Sequence, residues 1–200
     1  SFVRMPVDLI NVMEISWHGK SSFTIKGSNA TIALDPLNDS VKADIVMESK
    51  QENDPKVKDA KLLNIPGEFE VSGVSIESIP SAVPGAKPIN IFSFTMDGIR
   101  VCSMGALSDD LSEATFETIG DVDVLLIPVG SKDVLSAKQA QIIVEEVDPR
   151  IVIPSCYDGA PSEFLKIMGK TDSRQADKFS VKSRSELPGE KTELVLLNIV

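Results

Sequence analysis

Apolar and polar positions alternate through the first half of the chain and then give way to longer apolar runs separated by helical spacing. Met13-Glu14-Ile15-Ser16-Trp17 alternates, the pattern breaks at Gly19, and it resumes over Ser22-Phe23-Thr24-Ile25 before Gly27-Ser28-Asn29. This predicts a hairpin or two consecutive strands. Thr31-Ile32-Ala33-Leu34 predicts a third strand, closed by Asp35-Pro36, where proline stops the ladder and Asp35 is placed to bond neighbouring backbone. A fourth strand covers 43–47, and its Ile45-Val46-Met47 run leads straight into the polar stretch 49–55. Residues 61–65 and the alternating run 69–79 flank a Pro66-Gly67 turn, and 89–95 pairs with 99–104 across Asp97-Gly98, a strong two-residue hairpin signal.

The second half reads differently. Leu111, Thr115 and Ile119 have helical spacing over 108–119, with Gly120 as a stop, and 122–129 is a nearly all-apolar strand that must be buried on both faces. Ser136-Ala137-Lys138-Gln139 opens a helix with a capping box, its core face made by Ala140, Ile143, Val144 and Val147 before Asp148-Pro149 ends it. Ile151-Val152-Ile153-Pro154 is another buried strand, 162–168 a short helix, and 178–182 and 194–199 closing strands. Strands precede any helix, so the sheets are expected to be antiparallel or mixed, with helices covering the outer faces of two stacked sheets in an α/β sandwich.

Composition narrows the class. Two hundred residues with 42% apolar content suffice for one well-packed domain, here 13–200 behind an N-terminal extension of 1–12. The net charge of -10, with no cluster of lysine or arginine, argues against nucleic acid or an anionic membrane as the main partner. No run approaches the roughly 20 apolar residues of a membrane span. Two cysteines, Cys102 and Cys156, are too few for a disulfide framework, so a cytoplasmic protein is expected, with a homo-oligomer as one form of assembly.

Five ordered stretches carry a resemblance. Residues 13–23, Ile32-Ala33-Leu34-Asp35-Pro36, Pro66-Gly67-Glu68-Phe69-Glu70-Val71-Ser72-Gly73-Val74, 121–130 and Pro149-Arg150-Ile151-Val152-Ile153-Pro154 resemble the metallo-β-lactamase superfamily, nearest its short zinc-dependent hydrolase branch that includes ascorbate-6-phosphate lactonase-like proteins. The resemblance implies a four-layer αββα sandwich of two mixed sheets and a site of one or two zinc ions. It also locates the ligands. Where the H-x-H-x-D-H signature follows its strand, this chain has Lys50, Glu52, Asp54 and Pro55, and only Asp54 matches. Ala82 and Val83 stand near a further histidine position, Ser103 at another, Ala106 at the bridging aspartate and Cys156 at the last histidine, before Tyr157. The chain's one histidine, His18, lies two positions from a histidine of the branch that is Lys20 here.

Four or five imidazoles cannot be drawn from one histidine, so the expectation is a superfamily member without zinc ligands and without a bound cofactor, acting as a non-catalytic binding or scaffolding protein. Its pocket would be lined by Lys50, Glu52, Asp54, Ser103, Ala106, Cys156 and Tyr157. The alternative is a metal-dependent hydrolase of phosphate esters or lactones with a rebuilt carboxylate and thiolate site, for which Glu52, Asp54 and Cys156, with Glu68 and Asp158, supply candidate ligands. A third reading makes Cys156 a nucleophile; no base is placed beside it in the sequence. His18 stays open between a surface and a pocket role, and Lys182 to Arg184 form a weak basic patch.

Overall fold

Strands β1 (Met13–Trp17), β2 (Phe23–Lys26), β3 (Thr31–Leu34), β4 (Ile45–Met47) and β5 (Lys61–Leu63) follow one another along the chain, each carrying the apolar positions read above. The computed structural model describes residues 12–51, 57–81, 88–130, 132–170 and 173–200. Next come β6 (Gly67–Val71), β7 (Val74–Pro80), β8 (Asn90–Met96) and β9 (Ile99–Ser103), then helix α1 (Glu113–Ile119), β10 (Val124–Pro128), α2 (Ala137–Val147), β11 (Ile151–Ser155) and α3 (Ser162–Ile167). Strands β12 (Arg174–Ala176), β13 (Phe179–Val181) and β14 (Glu193–Leu197) close the fold.

They form two mixed sheets. The six-stranded sheet runs β13-β1-β2-β3-β4-β5 and the eight-stranded one β12-β14-β11-β10-β9-β8-β7-β6. Between them lies the main core, with Ile15, Ile32 and Met47 from one sheet against Phe92, Phe94, Val101 and Leu126 from the other. Strand β10 shows why its sequence is apolar throughout: Val124 and Leu126 face this core, while Leu125 and Ile127 face a second cluster under the helices with Ala140, Ile143 and Val144. The Ser136 capping box closes as expected, with Gln139 N–H donating to the Ser136 hydroxyl at 3.3 Å and Ser136 N–H to Gln139 Oε1 at 3.0 Å.

Several expectations change. Helix α1 begins at Glu113, not at 108, because Ser112 is the residue whose hydroxyl accepts the Thr115 N–H. Pro66-Gly67 is not a hairpin turn: β5 and β6 belong to different sheets, so the chain crosses the sandwich there. The run 69–79 is itself broken into a hairpin at Ser72-Gly73, which like Asp97-Gly98 takes positive φ at both residues. All three described α-helices pack on the eight-stranded sheet; the outer face of the other sheet carries a small cluster of Ala33, Val46 and Val57, bordered by Val41, Ala43, Ala60 and Leu62. The Arg184 of the basic patch bonds Asp123 Oδ1 at 2.8 Å, so this charge is part of the fold. No described helix is long and apolar enough to cross a membrane.

Candidate functional site

The strands' C-terminal ends converge on one edge. Strands β1, β3 and β4 point the same way in the first sheet, as do β9, β10 and β11 in the second, and open sheets present their crevices at such ends. A cavity of about 590 Å³ sits there. Its walls from the first sheet are Lys20 and Ser21 after β1, Asp35, Pro36 and Leu37 after β3, and Glu48, Ser49 and Lys50 after β4; the second sheet adds Ala106, Asp133, Val134, Cys156, Tyr157 and Asp158.

The floor is built around Asp35. Its carboxylate accepts the Ser49 N–H at 2.6 Å and the Ser49 hydroxyl at 2.7 Å. Gly105 presses on the same spot: its φ is 55°, and a Cβ there would lie 2.4 Å from Ser49 Cβ and 3.5 Å from Asp35 Oδ2. Burial pushes the Asp35 carboxyl above its ordinary range, opposed by the bonds from Ser49 and Ser21 and by the charge of Lys50.

Cys156 lies at the end of β11 with φ 58°, its N–H donating to the Lys20 carbonyl at 3.2 Å. The same carbonyl accepts Trp17 Nε1 at 2.8 Å, so β1 and β11 are tied at the cavity edge. Burial pushes the Cys156 thiol up to about 11, and the Asp35 charge adds to this, while the Ser155 hydroxyl, Lys50 and Lys20 oppose it. Tyr157 packs its ring 4.9 Å from that of Trp17, and burial raises its phenol to about 12.

Asn90 joins the two sheets beside this floor. Its N–H donates to the Ser49 carbonyl at 2.7 Å and its Nδ2 to the Asn64 carbonyl at 2.9 Å. Glu48 is buried here with Asn64 Nδ2 at 3.5 Å from Oε2.

A family model described as "Beta-lactamase superfamily domain" matches residues 14–155. The chain belongs to the metallo-β-lactamase superfamily. A solved structure assigned to the Zn-dependent hydrolases of this superfamily, from Thermotoga maritima, superposes with a TM-score of 0.76 at 28% identity, covering 92% of this chain and 98% of that one. The UPF0173 protein of Pyrococcus furiosus is 25% identical over 197 residues, spanning 79% of this chain and 91% of its own length. A UPF0173 metal-dependent hydrolase of Thermococcus onnurineus is 30% identical over 117 residues, 52% of each chain.

Of the residues that the resemblance sets at ligand positions, the cavity brings together Lys50, Ala106 and Cys156, with Tyr157 and Asp158 beside them. Glu52, Asp54, Ala82 and Val83 lie outside the described residues. Ser103 is a correction: it is buried within β9, its hydroxyl facing the Gly105 N–H at 3.4 Å, and it does not line the cavity. Glu68 is another, because it lies in a separate cavity of about 460 Å³ on β6 to β9 with Glu70, Glu77 and Arg100. His18 settles away from the cavity, with Nε2 2.7 Å from Thr24 Oγ1 and Nδ1 3.2 Å from the Val200 carbonyl. No three His, Cys, Asp or Glu side chains among the described residues group as a metal site. Lys20, Ser21, Ser49 and Asp133 belong to no motif that marks them as lining residues; the signal that finds them is their place just past the C-terminal ends of strands.

Proposed function

We propose that this chain is a non-catalytic binding member of the metallo-β-lactamase superfamily, with the cavity at the strand ends as its binding site. What supports the reading is a cavity lined by the ammonium of Lys50, the methyl of Ala106 and the thiol of Cys156, residues that the resemblance sets at ligand positions, in a chain whose single histidine is engaged by Thr24 and Val200. Zinc in this superfamily activates water for hydrolysis, which needs ligands that fix the ion and leave one position open. An ammonium repels a cation, a methyl offers no lone pair, and a thiol held near 11 binds metal only after losing its proton. This donor set does not suit zinc. The two free cysteines, Cys102 buried and Cys156 half-buried, suit a reducing cytoplasm.

The second reading is a hydrolase of phosphate esters or lactones with a rebuilt carboxylate and thiolate site. What favours it is that relatives are described as metal-dependent hydrolases and that Asp35, Glu48 and Cys156 all border the cavity. Turnover of a phosphate monoester panel and a lactone panel, with zinc or manganese added, separates the two. The binding reading expects no rate above buffer and no difference between the parent and Asp54→Ala. Metal-stimulated turnover lost in Asp54→Ala overturns it.

A further inference from the structure

The cavity's charges divide into those already used by the fold and those left over. Asp35 is spent on Ser49 and Ser21, and Glu48 is buried with Asn64 close to it. Lys20, Lys50, Asp133 and Asp158 are different. All four are exposed on the cavity walls, and none of their side chains makes a hydrogen bond or a salt bridge among the described residues.

Their distribution follows the topology. Both lysines come from loops of the six-stranded sheet, after β1 and β4, and both aspartates from loops of the eight-stranded sheet, after β10 and β11. The side chains left without a partner in the crevice are therefore cationic on one wall and anionic on the other, with the bonded carboxylates of Asp35 and Glu48 on the lysine side. Lys20 and Lys50 line the same cavity beside Cys156. Lys20 is also held in place: its carbonyl accepts two donors, from Trp17 and Cys156, and its φ is 48°. Leu37 and Val134 add apolar surface to the same cavity. A space of about 590 Å³ is of the size that encloses a small molecule.

We infer that the cavity binds a small zwitterion of the amino-acid or short-peptide class, its carboxylate held by Lys20 and Lys50 and its ammonium by Asp133 and Asp158. The inference rests on the reading of this cavity as a binding site. Opposite charges on the two walls reward a ligand that carries both and penalise one that carries either alone, because the unmatched wall then loses water without gaining a partner.

The test is calorimetric titration of the full chain with L-alanine, Ala-Ala and Ala-Ala-Ala, which space the two charges differently, and with the N-acetyl and C-terminal amide forms of each. The expected result is saturable binding by at least one zwitterion, weakened about tenfold or more by either cap. K20M/K50M should abolish the preference for a free carboxylate and D133N/D158N the preference for a free ammonium, with thermal melts showing both variants folded. Capped and uncapped forms binding alike, or no saturation by any zwitterion up to about 50 mM, overturns the inference. Either result leaves the non-catalytic reading standing, whereas metal-stimulated turnover removes that reading whatever the titrations show.

Discussion

Ser49 donates both its backbone N–H and its hydroxyl to the Asp35 carboxylate, although the two residues are 14 positions apart. They sit just past the ends of β3 and β4, which pair in parallel, so this contact fixes how the chain leaves β4 and hence where Lys50 emerges. That exit brings the Lys50 ammonium to a cavity lined by the Asp35 carboxyl and the Cys156 thiol.

Replacement of Asp35 by Asn tests the floor through pH. Burial holds the Asp35 carboxyl above its ordinary 3.8, so the folded state takes up a proton that the unfolded chain gives away more readily. The stability this gives is fully present below the unfolded pKa and is lost as pH rises through the raised one. Urea unfolding of the parent and of Asp35→Asn across this range should show the parent's relative stability falling as pH rises, then levelling. A relative stability that climbs with pH contradicts the assignment.

Gly105→Ala should be costly. The residue is in the left-handed region, and the added methyl would sit 2.4 Å from Ser49 Cβ and 2.6 Å from Ser49 Oγ, so Ser49 or the β9 exit must move. Strain and overpacking of this kind cost about 1–3 kcal/mol. Urea unfolding measures it; a variant as stable as the parent would show that the contact is loose.

Asp123 holds the opposite end of the second sheet. It is buried, accepts the Arg100 N–H at 3.0 Å and the Arg184 guanidinium at 2.8 Å, and has Arg150 Nε at 3.3 Å. Asp123→Ala leaves the Arg100 N–H without its acceptor and should lower stability by about 2–4 kcal/mol. Arg184→Ala should cost clearly less, since its guanidinium is half exposed and Arg150 stays beside the carboxylate. Equal losses in the two variants would contradict this.

Cys156 should label slowly with iodoacetamide at neutral pH, because a thiol near 11 is almost wholly protonated. The rate should climb about tenfold per pH unit up to at least pH 9. Lys50→Met should slow it further by removing a charge that favours the thiolate, and Asp35→Asn should speed it. Peptide mass spectrometry reads the rate, with buried Cys102, pushed up to about 12, as the internal control that labels only on unfolding. Rapid labelling of Cys156 at pH 7 would restore the nucleophile reading.

Local patterns carried most of the fold into the sequence. Ser136 and Gln139 close a capping box within four residues, and Asp97-Gly98 makes its turn from its own backbone, so both are readable from neighbours alone. Strand β12 is silent in the sequence because Arg-Gln-Ala has no strand signal; it is ordered by pairing with β14, about twenty residues on. The site was less legible for the same reason. Asp35 could be read as a strand stop bonding nearby backbone, yet its partner is Ser49; Asp123 finds Arg184 across 61 positions, and His18 finds Val200 across 182. Ser103 was placed by its motif position alone, and the pleat of β9 buries it.

The central claim is that this member of the superfamily works without the metal. Elemental analysis by inductively coupled plasma mass spectrometry, on untagged protein purified without chelator and then dialysed against zinc and manganese, tests it most directly. The account predicts less than about 0.1 equivalents of any transition metal per chain before and after dialysis, because Lys50, Ala106 and Cys156 offer no competent ligand set. About one equivalent, lost in Asp54→Ala, would contradict it.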